Sequence, residues 1–253
     1  MVLVKKALRY FVKFVIFSLC FIIIFSFFQL IVVPKYIGDS TTIIDNFYSL
    51  EKNSVDVLFL GSSQTFCSID DRLLQEQYGI NAYAFASSQQ RLPITEYFLK
   101  EAVKYQHPKI IMVEVSQVFT ELDPEEESMF SYSYAPTKPS VEKFLSLYDI
   151  TNGDLKKSIS YTLPLFQYHT RWNQVDIDDV GYCISRTLNR YDYQSFGFQK
   201  RDGVKKQKID FLNKSKGQAK RIPVSNIATL DCIYKICNNN SINVIFFKTP
   251  VTN

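Results

Sequence analysis

Apolar positions along the chain fall into three kinds of run. The first is continuous. From Phe14 to Val33 the sequence FVIFSLCFIIIFSFFQLIVV contains no charged residue, and its length is close to the roughly 20 residues that a helix needs to cross bilayer hydrocarbon. Residues 14–33 are therefore expected to form a transmembrane helix, with a basic segment (1–13) before it and a linker (34–53) after it. The second kind is short and bounded by turn-forming residues. Val55 to Leu60, Ile80 to Ala86 (INAYAFA), Lys109 to Ser116 (KIIMVEVS) and Ile242 to Lys248 (INVIFFK) have the length and composition of buried parallel strands.

The third kind has helical spacing. Pro93 opens ITEYFLKEAVKYQ, in which Ile94, Tyr97, Phe98 and Val103 share one side. Ser68-Ile-Asp-Asp71 resembles an N-cap, and the LLQEQY that follows ends at Gly79, a helix stop. Val224 to Cys237 predicts one more helix before the last strand. Strands and helices alternating with short links predict a doubly wound α/β sheet with right-handed crossovers. Between the third strand and that last helix, residues 120–221 lack the rhythm. They carry DPEEES at Asp123 to Ser128, Pro136, Pro139 and the aromatic-rich LFQYHTRW from Leu165 to Trp172. This reads as a mixed, partly helical insertion over the active edge of the sheet.

Charge adds an orientation. The formal net charge of +4 equals the four basic residues before the apolar run, Lys5, Lys6, Arg9 and Lys13, which leaves 25 basic against 25 acidic residues after it. The positive-inside rule keeps the amino terminus cytoplasmic and sends residues 54–253 outside. Leu30 to Lys35 offers no small-residue cleavage site, so a signal anchor is expected rather than a cleaved signal peptide. The near-neutral outer domain lacks the basic excess of proteins that hold nucleic acid by its phosphates, and none is expected as a partner. The basic runs Lys200–Lys208 and Lys214–Arg221 read as solvated loops. With two histidines, and with Cys67, Cys183, Cys232 and Cys237 outside the span at unrepeated spacing, neither a metal nor a cofactor is expected.

The chemistry concentrates where the first strand meets Gly61-Ser62-Ser63. In open α/β sheets ligands bind beyond the carboxyl ends of the strands, and a glycine there lets the backbone bend sharply. Ser63 is thus a candidate nucleophile. His169 and Arg171 join it as candidate substrate contacts by chemical type. The plainer alternative treats the turn as an ordinary strand-to-helix link.

The succession of strand, GSS turn, helix, a second strand ending in Ala86-Ser87-Ser88-Gln89-Gln90, and KIIMVEVS resembles the SGNH (GDSL-like) hydrolases. Within them it is similar to the membrane-anchored bacterial branch that includes the teichoic-acid D-alanylation and alginate O-acetylation proteins. The resemblance implies a flavodoxin-like three-layer parallel sheet, with Ser63 as the nucleophile and Ser62 in place of the usual aspartate. It also implies that the turn of Ser88, Gln89 and Gln90 binds the oxyanion or substrate, with Gln89 where a glycine is usual. The family's final block, an Asp and a His a few residues apart after the last strand, has no counterpart, and the sequence reads as a carboxyl-terminally truncated member. The implied function is an anchored esterase or O-acyltransferase acting on cell-envelope polysaccharide or teichoic-acid esters, partnered by a membrane-bound O-acyltransferase. The alternative is a non-catalytic glycan-binding or accessory protein.

Overall fold

A computed structural model describes residues 2–34, 39–187, 197–200 and 221–249. The four apolar runs form strands β1 (Val57–Gly61), β2 (Ala82–Ala86), β3 (Ile110–Glu114) and β4 (Asn243–Phe247), all parallel, in the order β2-β1-β3-β4. The α/β class and parallel sheet are those read from the sequence. Side chains alternate between the faces of a strand, so register defines rows across the sheet. One such row, Phe85–Leu60–Val113–Phe246, runs from edge to edge.

Helices lie on both faces of the β2–β1 half. On one face α2 (Asp39–Ser49) and α5 (Leu92–Ala102) cover that row: the Phe85 ring stacks on Phe47 at 3.9 Å and lies 4.7 Å from Phe98. Residues 34–53, expected to be a linker, thus contain a core helix in α2. Its Ile43, Ile44 and Phe47 repeat at helical spacing and are buried, and Ile43 O accepts the Tyr83 hydroxyl at 2.6 Å. On the other face lie α3 (Ser63–Ser68) and α4 (Asp71–Tyr78), the latter ended by Gly79 in the left-handed conformation, φ +66°. α4 is capped by Asp70, not by Ser68, which is the last residue of α3.

The outer edge of β2 is sealed. The buried Asp71 carboxylate accepts the Ala84 N–H of β2 at 3.2 Å and the N–H groups of Gly197 and Phe198 at 2.7 and 3.3 Å. Gly197 lies so close that a Cβ there would sit 2.4 Å from Ala84 O. At the other edge β4 is flanked by α11 (Val224–Asn239) on one face, and its Ile245 and Phe246 are exposed.

The insertion is helical where described: α6 (Glu127–Tyr134), α7 (Val141–Ile150), α8 (Leu155–Thr162), α9 (Pro164–Tyr168) and α10 (Ile177–Thr187), with a 3-10 segment at His169–Gln174. Of the basic runs, residues 201–208 and 214–220 lie outside the described residues. Helix α1 (Val2–Ile31) is long and apolar enough to cross a membrane from Lys5 to Ile31. The end of the expected span is buried within the domain, however. Gln29, Ile31, Val32 and Val33 are covered, and Gln29 Oε1 accepts the Leu165 N–H at 2.8 Å.

Candidate active site

The Gly61-Ser62-Ser63 turn leaves the carboxyl end of β1, an inner strand of the sheet. Gly61 has φ +153°. A Cβ at this position would lie 2.4 Å from Thr65 Oγ1 and 2.7 Å from Glu114 Cβ, so both conformation and space require glycine. Ser62 is the N-cap of α3 and its Oγ accepts the Gln64 N–H at 3.4 Å. Ser63 is the first residue of α3, half-buried, and among the described residues its hydroxyl has no hydrogen-bond partner. Its N–H belongs to the first helical turn, where amides lack intrahelical acceptors.

The neighbouring turn after β2 is held from several sides. Ser88 N–H donates to Ser40 Oγ of α2 at 2.8 Å. Gln89 is left-handed, φ +57°, the conformation for which glycine is best suited, and its exposed side chain accepts the Ser128 hydroxyl at 2.8 Å. Gln90 is buried: its Oε1 accepts the N–H and Oγ–H of Ser87 at 3.0 and 2.9 Å, and its Nε2 donates to Thr95 Oγ1 at 2.9 Å. Gln90 therefore braces the turn and its polar atoms are engaged within the protein.

Three further residues at this edge escaped the sequence reading. Glu114, buried at the end of β3, borders Gly61 and accepts the Ser116 N–H and hydroxyl at 2.7 and 2.9 Å. A lone acid inside KIIMVEVS was the available signal. Thr249 Oγ1 donates to Gln64 Oε1 at 3.2 Å, which brings the chain leaving β4 beside the first turn of α3. Ser40 gives no signal, because its segment directly follows the long apolar run and reads as a linker.

His169 and Arg171 are not joined to these turns by any hydrogen bond among the described residues. The exposed His169 pairs through Nδ1 with Phe166 O at 2.9 Å. Arg171 donates to Val32 O at 3.1 Å and to Asp179 Oδ1 at 2.8 Å, fixing the insertion to the end of α1. His107, exposed just before β3, lies at the opposite edge of the sheet. Among the described residues, then, no histidine is hydrogen-bonded to Ser63, and no cluster of three His, Cys, Asp or Glu could hold a metal.

Beneath the α3–α4 layer, burial pushes the Asp71 carboxyl up to about 6 despite the three N–H groups it accepts. A cavity of about 770 Å³ opens between α5, α7 and α11, and neither Ser63 nor Ser88 lines it. The geometry at the carboxyl edge thus consists of a hydroxyl at a helix start with no partner among the described residues, beside a second turn whose first amide is occupied. No family model, curated protein or solved structure matches the chain.

Proposed function

We propose that the chain is a membrane-anchored serine esterase or O-acyltransferase of the SGNH type, with Ser63 as the acyl-accepting nucleophile. One observation carries this reading: a half-buried serine, whose hydroxyl has no partner among the described residues, opens a helix directly beyond the glycine-dependent end of an inner parallel strand. In the reaction, Ser63 Oγ attacks an ester carbonyl to form an acyl-serine, the C–O bond of the ester breaks and its alcohol departs with the hydroxyl proton, while N–H groups of the α3 turn would face the developing oxyanion. A donor of this kind is typically worth about a hundredfold or more in rate. The positive-inside rule puts the amino terminus in the cytoplasm and the domain outside the cell, where the ester-bearing substrates are cell-envelope polysaccharide or teichoic acid and the partner is a membrane-bound O-acyltransferase. A site near the bilayer suits such partners. The Ser88–Ser40 bond ties this edge of the sheet to α2, and the six residue-to-residue steps from Pro34 to Ser40 reach at most about 22 Å from the described end of the α1 segment.

A second reading, a non-catalytic glycan-binding or accessory protein, is favoured by a different observation: the Ser88 amide is occupied by Ser40 Oγ, and no described histidine bonds Ser63. A fluorophosphonate probe applied to the full chain in vesicles separates the two. Labelling that maps to Ser63 and vanishes in Ser63→Ala is the outcome expected of the enzyme. Unlabelled wild-type protein that still retains envelope glycan would establish the accessory reading instead.

A further inference from the structure

We infer that the α9–α10 region is a membrane-resting shelf, which inserts Phe166, Trp172 and Ile177 into the bilayer interface next to the exit of α1. This rests on the reading of α1 as a membrane span.

The uncharged run from Phe14 to Val33 is 20 residues long, or about 30 Å as a helix, which matches the hydrocarbon thickness. Only the part up to Phe28 is free to face lipid. Gln29, Ile31, Val32 and Val33 are buried against the domain, with Gln29 accepting the Leu165 N–H and Val32 O accepting Arg171. The exposed uncharged stretch, Phe14 to Phe28, is 15 residues, or about 22 Å. The elements packed around the end of the helix are α9 and α10, with Arg171 of the 3-10 segment bonded just beyond it. Those elements therefore sit at the level of the outer bilayer boundary.

Their outward side chains suit that level. Phe166 is 50% exposed, Trp172 69% and Ile177 80%, while Ile184, two turns after Ile177 on α10, is 49% exposed. Single exposed apolar groups are ordinary on a soluble surface, and Val141 and Val224 are as exposed elsewhere; what sets Phe166, Trp172 and Ile177 apart is their place around the end of α1, at the depth where the interface favours aromatic rings. Asp176 and Asp178 border the patch, so the attraction is apolar insertion and not recognition of anionic headgroups. The shelf also assigns a different role to the segment LFQYHTRW: Arg171, bonded to Val32 O and to Asp179, is a brace that sets the angle of the domain against its anchor.

Trp172 is the single tryptophan of the chain, so intrinsic fluorescence of the full protein in phosphatidylcholine vesicles reads the shelf directly. Emission shifts to the blue on reconstitution, nitroxide carried at a shallow acyl position quenches most of it, and aqueous iodide quenches little. Phe166→Ser with Ile177→Ser reduces the lipid-borne quenching while α1 keeps the protein in the vesicles. Quenching of the wild type by iodide and not by lipid nitroxide overturns the inference. Cys20, in the middle of α1, tests the span separately in a Cys67→Ser, Cys232→Ser background. If an aqueous maleimide labels Cys20 in intact vesicles, the span itself is wrong. If Cys20 is shielded and Trp172 is wet, the span stands and the shelf falls.

Discussion

Two phenylalanines occupy equivalent places at opposite edges of one sheet, and the protein treats them differently. Phe85 on β2 and Phe246 on β4 stand in the same row, on the same face, at the same distance from the carboxyl ends of their strands. Phe85 is 0% exposed, sandwiched by Phe47 and Phe98; Phe246 is 41% exposed. The backbone edges differ likewise. β2 is closed by Asp71 and by residues 197–198, whereas no described segment pairs with the outer side of β4. A parallel strand that reads as a continuous apolar run is normally covered on both faces. Among the described residues, cover therefore falls off across the sheet from β2 to β4, and the Ser63 turn stands on the well-covered side.

The largest expected effect sharpens this contrast. Phe85→Ala empties a site enclosed by two rings and should destabilise the fold by about 3–5 kcal/mol. The change is read as a shift of the urea midpoint of the full chain, followed by circular dichroism in one detergent. A loss below about 1 kcal/mol would mean that α2 does not pack on the sheet in solution.

The second effect concerns the sealed edge and depends on pH. Asp71 has its folded pKa raised from 3.8 to about 6, so between those values the native state holds the proton more tightly than the unfolded chain. Its contribution is fully present below about 4, is lost as pH rises through 6, and amounts to about 3 kcal/mol in all. Asp71→Asn removes the titration while an amide oxygen still accepts N–H groups. The stability difference, wild type minus Asp71→Asn, should fall between pH 4 and pH 7 and stay flat above. A difference that stays nearly flat from pH 4 to pH 7 and drops only below pH 4 would show the carboxylate to be stabilised by its three amides more than it is penalised by burial.

The same asymmetry governs what could be read from the sequence. The strands of the covered half and their links were legible because short apolar runs bounded by Gly79, Pro93 and Pro108 leave few alternatives. Helix α2 was not, although Ile43, Ile44, Phe47 and Tyr48 follow a helical pattern, because it directly follows a much stronger apolar signal. At the carboxyl edge, the Ser63 turn was legible from local chemistry, a strand end followed by glycine and small polar residues, whereas the Ser87–Gln90 turn entered only through the family resemblance; the parallel pairing of β1 and β2 puts the two turns side by side. Ser40, Glu114 and Thr249 were not: each reaches the carboxyl edge from a segment distant in sequence, Glu114 and Thr249 through the register of β1, β3 and β4 and Ser40 through the packing of α2 on β2. The placement of Arg171 against the end of α1 likewise depends on long-range packing, which residue type alone does not encode.

The smallest expected effect is at β4, and there the two edges can be set against each other with one residue type. Phe246→Ala removes a ring that still meets solvent, and its cost should be about 1 kcal/mol or less, several-fold below that of Phe85→Ala. Ile245, on the opposite face and 45% exposed, tests the surface rather than the core. Ile245→Lys should change stability by no more than about 0.5 kcal/mol, yet it puts a charge on an open apolar edge, the device by which natural sheets discourage edge pairing. Lower self-association of Ile245→Lys in analytical ultracentrifugation, at unchanged midpoint, is the expected result. If Phe246→Ala proves as costly as Phe85→Ala, β4 is covered in solution, and the contrast between the edges belongs to the isolated chain alone. If neither substitution matters to stability or association, the exposed face of β4 is simply tolerated surface.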